Sequence, residues 1–334
     1  MRFRWSMLLA AIVSNTFVID CGHATPPVRT LVLGAYTTPR EVYNKAIIPA
    51  FQRYWRAQTG QEVQFQTSFL GSGTQARAIV SGFEADVAAL SLEDDIDSIT
   101  QAGLIRYDWR ATPHKGMVTR SIVVIAVRPG NPKQIRDWDD LRQVAVLTPD
   151  IRTSGGAMWN LGAMYGAVLR GFTRESKNDA GAEKFFQAVL RNVTIMDKGA
   201  RESIITFERG IGDAAITYEN EVLIGRQAGK KYEYIIPRST ILIENPVAVI
   251  SQYADKHGVR DLAEAFVNYL TASEVQSLFM EYGLRPVNLD RPPEDRFPPV
   301  LDIFTIRDLG GWGEVKRRLF EPGALYDRVM SQLR

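Results

Sequence analysis

The sequence predicts an α/β protein made of two lobes around mainly parallel sheets. Three observations carry that reading. The chain has 334 residues, and at roughly 100–200 residues per domain this suggests two domains. Short apolar runs alternate with helical patterns along almost its whole length, the signature of strands joined through helices. In two places an apolar run meets a Pro-rich break, which suggests that the chain crosses between the lobes twice. Composition sets the outer limits. Apolar residues make up 45% and charged residues 23%, the proportions of an ordinary globular chain rather than a disordered, fibrous or polytopic membrane one. Lys and Arg number 40 against 38 Asp and Glu. So small an excess argues against tracking nucleic-acid phosphates.

Residues 1–24 read as an export signal. Arg2 and Arg4 precede an apolar run at 7–13, which Ser14, Asn15 and Thr16 interrupt. The stretch is too short to span a bilayer, and Gly22, His23 and Ala24 suit cleavage after Ala24. Cys21 is the single cysteine. Cleavage would leave a thiol-free mature chain, suited to an oxidising compartment. Lipid attachment at Cys21 is the alternative, disfavoured by Asp20 before it.

Residues 31–35 form the first predicted strand. A helix follows from about Pro39, and Pro49 should kink or restart it because it lacks an N–H. Strands are expected at 63–67 and 86–90, with a Gly71-Ser72-Gly73 loop and a short helix at 74–80 between them. Leu92, Ile96 and Ile99 give the next helix its apolar face, with Glu93, Asp94 and Asp97 exposed. Residues 121–127 (SIVVIAV) form an apolar strand that ends at Pro129-Gly130-Asn131-Pro132, the expected first crossing. Beyond it come a strand at 144–147, helices at 156–169 and 180–190, and strands at 193–196, 214–217 and 232–236. Asn245-Pro246 precedes an apolar strand at 247–250, the expected return. Lobe 1 is therefore expected to be discontinuous, 28–127 plus 248–334, and lobe 2 to run over 128–247. Helices near 261–270 and 274–282 should pack on the first sheet.

Few residues look catalytic. Three His are present: His23 in the signal, His114 and His257 in polar contexts. No Cys/His cluster or HExxH supports a metal, and no G-x-S-x-G elbow is present. Neither a metal nor a cofactor is expected. Gly71-Ser72-Gly73-Thr74-Gln75-Ala76 does match a dinucleotide fingerprint, but not after the first strand of its domain. The physics beneath it is broader. A Gly/Ser turn into a helix leaves backbone N–H groups unpaired at the positive end of the helix dipole, where anions bind. Thr153-Ser154-Gly155-Gly156-Ala157, Lys198-Gly199-Ala200-Arg201 and Tyr36-Thr37-Thr38-Pro39 repeat the device. Each alone reads as a plain cap or turn. All four follow strands, and ligands of open α/β sheets sit at strand carboxyl ends, so two facing lobes would bring them to one cleft.

The motifs YTTPRE at 36–41, LGSGTQAR at 70–77, TSGGAMWN at 153–160, Gly199-Ala200-Arg201, FERGIGD at 207–213, YENE at 218–221, PVAV at 246–249 and Gly310-Gly311-Trp312 resemble those of the periplasmic sulfate/thiosulfate-binding proteins of ABC importers. The resemblance implies the type II periplasmic binding protein fold, two α/β lobes joined by two crossing strands and closing by a hinge. It implies a monomer in the periplasm, with sulfate or thiosulfate as ligand and the membrane permease subunits of an importer as partners. It implies a dehydrated anion held without metal or cationic side chain. The donors would be the backbone N–H groups of Thr37, Ser72, Gly155, Gly156 and Ala200, the Ser154 hydroxyl, and Tyr218 where the family commonly has Trp. Thr37 stands where the family commonly has Asp, and Met158 where many members have Arg.

A site built only of donors suits sulfate, which carries no proton at neutral pH. Phosphate keeps a proton that would face another donor, and such a mismatch costs about 1–3 kcal/mol. Binding is expected to vary little from pH 5 to 8. Alternative readings are a binding protein for molybdate or phosphate, and an exported phosphate or sulfate ester hydrolase.

Overall fold

In the computed structural model, residues 28–333 are described. The expected export signal and Cys21 lie outside them. Ten strands alternate with helices: β1 (Arg29–Tyr36), β2 (Val63–Leu70), β3 (Val87–Ala89), β4 (Met117–Val127), β5 (Val146–Leu147), β6 (Val193–Ile195), β7 (Ala214–Tyr218), β8 (Glu233–Ile235), β9 (Ser239–Val249) and β10 (Asp302–Phe304). The main strand order is β2-β1-β3-β9-β4-β7-β5-β6. Within the first lobe β2, β1 and β3 are parallel. Within the second, β6, β5 and β7 are parallel. The antiparallel pairs all involve β4 or β9, which lie side by side between the two sets. These two 11-residue strands run from one set to the other, so the passage out of the first set is made along β4 itself, ahead of the break at Pro129-Gly130-Asn131-Pro132 where the sequence suggested it.

The return crossing starts earlier than the sequence suggested. It runs through Asn245-Pro246 instead of beginning after them. Pro246 has no N–H for the ladder, and the register slips between Met117 and Thr119 directly opposite it. A bulge in the partner strand thus absorbs the missing donor. Pro49 acts as expected. The helical run from Arg40 passes through a π-turn at Tyr43–Ile47 and restarts as Ile48–Thr59, with Pro49 in the first turn.

Each sheet is covered on both faces, which is why its strands read as near-continuous apolar runs. Leu31, Leu33 and Ala35 of β1 pack with Phe51, Phe266 and Phe279 on one face of the first sheet. Ile79, Ile96 and Ile99 cover the other, against Ala88. Complete burial of a side chain such as Phe266 contributes about 1.5–3 kcal/mol. The helices Arg260–Tyr269 and Ser273–Glu281 pack on the first sheet, as expected.

The tail departs from expectation. Phe304, Ile306, Trp312, Val315, Leu319 and Val329 are buried in one core with Trp159, Phe185 and Phe186. The last segment therefore leaves the first lobe and covers the second. The physical reason is the apolar face of its helices, Gly311–Leu319 and Leu325–Leu333, and the indole of Trp312, which meets Trp159 edge-on at 4.7 Å. Segments 248–285 and 302–333 share the sequence's third stretch but serve different lobes.

Candidate functional site

The site is made by the carboxyl ends of strands and the helices that follow them. β1 ends at Tyr36, delivering Thr37 and Thr38. β2 ends at Leu70 and turns at Gly71 into the helix Ser72–Val80. In the second lobe Ser154 precedes the helix Gly155–Leu169, Gly199 precedes Ala200–Glu208, and β7 ends on Tyr218. Thr37, Ser72, Ser154, Gly155, Gly156, Ala200 and Tyr218 all line one small cavity, with Tyr36, Thr38, Gly71 and Ser91. None of these eleven residues carries a formal charge.

Three of the helices present raw N-termini to this space. Ser72, Gly155 and Ala200 are their first residues, and in none does the preceding residue cap the helix through its side chain. The amides of Thr37, Ser72, Gly155, Gly156 and Ala200 donate to no other protein group among the described residues. Nothing in the N-terminal sequence of Gly155–Leu169 prevents Ser154 from capping, yet its hydroxyl has no protein partner in that role. Five amides and two hydroxyls, Ser154 and Tyr218, are thus gathered around one space, with three positive helix ends behind them.

The backbone must come close for this to happen. A Cβ at Gly71 would lie 2.3 Å from the carbonyl oxygen of Thr153, on the opposite lobe. One at Gly155 would lie 2.7 Å from Ser91 Oγ, and one at Gly156 would lie 2.9 Å from the Tyr218 ring. These glycines are required by approach, since no side chain fits between the walls.

Ser91, just past β3, is a site residue that sequence reasoning missed. Its carbonyl accepts from Trp159 Nε1 at 3.0 Å and Asn245 Nδ2 at 3.2 Å, so it joins the first lobe to the second and to β9. Its hydroxyl meets the Tyr218 hydroxyl at 2.7 Å. Its amide donates to Ser72 Oγ at 2.9 Å, and Ser72 Oγ donates to Asp95 at 2.5 Å. The Ser72 hydroxyl is therefore committed, and its free amide is what faces the cavity. No local signal marks Ser91, since it lies in no glycine turn and its partners are far away in sequence.

The charges stand one layer back. Asp95 is buried, unlike its neighbours on the acidic helix, and burial pushes its carboxyl up to about 6. Glu93, Asp94 and Asp97, expected to be exposed, are partly covered and paired with Arg110, Lys316 and Arg307. Arg201 forms ion pairs with Glu41 at 2.9 Å and Glu221 at 2.8 Å. Burial raises Glu221 to about 7 against the pull of Arg201. Burial also pushes the Tyr218 phenol far above its ordinary range, so it remains a donor at any physiological pH. Glu219, next to Tyr218, does not line the cavity and pairs with Arg285 at 2.6 Å. Asp95 stands one hydroxyl from the cavity, and its raised carboxyl falls within the pH range over which binding is expected to vary little.

Among the described residues no cluster of His, Cys, Asp and Glu is arranged to hold a metal. No described helix is long and apolar enough to cross a membrane.

Two lobes around a buried, uncharged, donor-lined cleft define a solute-binding protein. Comparison with known proteins leads to the same class. The sequence pattern described as bacterial extracellular solute-binding protein matches residues 31–285. A sulfate-binding protein of Synechococcus elongatus is 40% identical over 97% of this chain and 92% of its own. One from Escherichia coli K12 is 38% identical over 89% of this chain and 92% of its own. A thiosulfate-binding protein of Pseudomonas aeruginosa is 34% identical over 98% of both. The solved sulfate-binding protein SubI from Mycobacterium tuberculosis H37Rv superposes with a TM-score of 0.79 at 36% identity, covering 88% of this chain and all of that one. The chain belongs to the bacterial extracellular solute-binding proteins, in the branch of the sulfate- and thiosulfate-binding proteins.

Proposed function

We propose that this protein captures sulfate or thiosulfate in the interlobe cavity and delivers it to the permease subunits of an ABC importer. The observation that carries the reading is the meeting of three uncapped helix N-termini in one buried space without a formal charge. A dianion there receives charge-assisted hydrogen bonds, each contributing about 1.5–3 kcal/mol. The helix dipoles supply the compensating positive potential. The gross sum is offset by dehydration of the ion and closure of the lobes.

In this reading the protein acts as a monomer in the periplasm, exported by a cleaved signal. Thr37, Ser72, Gly155, Gly156 and Ala200 donate through their amides, and Ser154 and Tyr218 through their hydroxyls. Lobe 1 comprises 28–127 with 248–285, and lobe 2 comprises 128–247 with 302–333. β4 and β9 act as the hinge. The contacts Arg201 to Glu41, Lys316 to Asp94 and Arg77 to the Arg152 carbonyl join the lobes when they meet. The role is one of binding. His257, the histidine with a carboxylate on each ring nitrogen, pairs with Asp86 and Glu84 and does not line the cavity.

Native mass spectrometry of protein purified without added anion tests the ligand. A retained mass equal to one sulfate or thiosulfate is expected, displaced by titrating the other. Protein that holds neither, and gives no calorimetric heat with either, overturns the proposal.

A further inference from the structure

The donors of the cavity are not all alike. A backbone amide can only donate. The Tyr218 and Ser91 hydroxyls, 2.7 Å apart, are buried and both line the cavity. Either can be the donor of the pair, because each hydroxyl both donates and accepts. In one arrangement Ser91 donates to the Tyr218 oxygen, and Tyr218 donates to the ligand. In the other, Tyr218 donates to Ser91 Oγ, its own oxygen accepts a proton from a ligand O–H, and Ser91 donates to a second ligand oxygen. Both arrangements satisfy the two hydroxyls of the pair. An indole at position 218 would allow only donation.

We infer that the Tyr218–Ser91 pair is a reversible donor–acceptor switch that lets the site take singly protonated tetrahedral oxyanions, such as hydrogen phosphate and hydrogen arsenate, as a second ligand class. The inference rests on the sulfate reading and deepens it. In a donor-only site the ligand proton faces an N–H, at a cost equivalent to about ten- to hundredfold in affinity. Here that proton has an acceptor. Ser72 cannot play this part, because its hydroxyl already accepts from the Ser91 amide and donates to Asp95. The Ser154 hydroxyl, by contrast, is held by no hydrogen bond to its own helix.

Calorimetry at mildly alkaline pH, where inorganic phosphate carries one proton, separates the possibilities. Sulfate and phosphate are titrated into the full mature protein, Tyr218→Trp and Ser91→Ala, with thermal unfolding as a check on each fold. The unaltered protein is expected to bind phosphate measurably, though more weakly than sulfate. Tyr218→Trp should weaken phosphate about tenfold or more relative to sulfate, and Ser91→Ala should shift the ratio the same way. No phosphate binding by the unaltered protein alongside normal sulfate binding overturns the inference without help from any variant. Equal changes for both ligands in well-folded variants overturn it too. Failure of the unaltered protein to bind sulfate or thiosulfate would instead remove the transport reading on which it rests.

Discussion

The helix Asp179–Leu190 and the helix Gly155–Leu169 belong to the same lobe and pack on one another, yet their beginnings differ. Asn178 caps the first, accepting from the Gly181 amide at 2.9 Å. Ser154 stands at the same place before the second and does not cap it. The 3₁₀ turns at Trp138–Gln143 and Ile306–Leu309 carry complete capping boxes from Asp137 and Thr305. At these three peripheral ends a side chain satisfies the first amides, whereas the three helix ends at the cleft leave theirs for something outside the chain. A cap satisfies donors permanently. An open end does so only when an anion arrives, so stability in the cleft is linked to ligand concentration.

The largest expected effect comes from giving the cleft a cap of its own. Gly156→Asp puts a carboxylate at the second residue of an open helix, where the dipole favours it. Anion binding should be lost, and with it the rise in melting temperature that sulfate confers, while the ligand-free protein stays folded. Near-normal affinity by calorimetry would mean that the open ends are not the binding surface. Gly155→Ala adds no charge but drives a methyl against Ser91 and Leu92 on the facing lobe. Overpacking of about 1–3 kcal/mol should weaken binding roughly ten- to hundredfold. Unchanged affinity would show that the lobes hold ligand without touching here.

Asn178→Ala probes the other side of the comparison. Loss of this cap should cost about 0.5–2 kcal/mol of stability, read by denaturant unfolding, and leave anion affinity unchanged. A change in affinity would mean that the two kinds of helix end are not independent. The smallest effect concerns Asp95. Its folded-state carboxyl is raised to about 6 by burial, and a nearby dianion raises it further. By linkage, binding then takes up protons around that pH, so affinity should rise a few-fold as pH falls from about 8 to about 5. Asp95→Asn should flatten the profile. A profile that is flat in the unaltered protein would place the Asp95 charge beyond the reach of the ligand.

The turns at Thr37, Ser72, Ser154 and Ala200 were legible because local chemistry creates them. Glycine, serine and threonine between a strand and a helix identify an N-terminus whatever the fold. The same locality explains why β1 to β8 are legible nearly in place, whereas β10 and most of β9 are not. A proline reads as a break in the chain until the opposite strand, with its register shift near Met117, is known to accommodate it. Ser91 was invisible for a related reason. Its partners Tyr218, Trp159 and Asn245 lie 127, 68 and 154 residues away.

By itself, then, the amino-acid order determined the alternating elements, the open-ended turns and the absence of carboxylates within them, since these depend on propensity and on neighbours a few positions apart. Tertiary structure alone decided that the tail covers the second lobe, that Asp95 is buried while Asp94 pairs with Lys316, and that Ser91 holds the phenol of Tyr218. Those outcomes depend on which surfaces meet when two lobes pack, and burial, proton affinity and hydrogen-bond partnership are properties of the meeting surfaces.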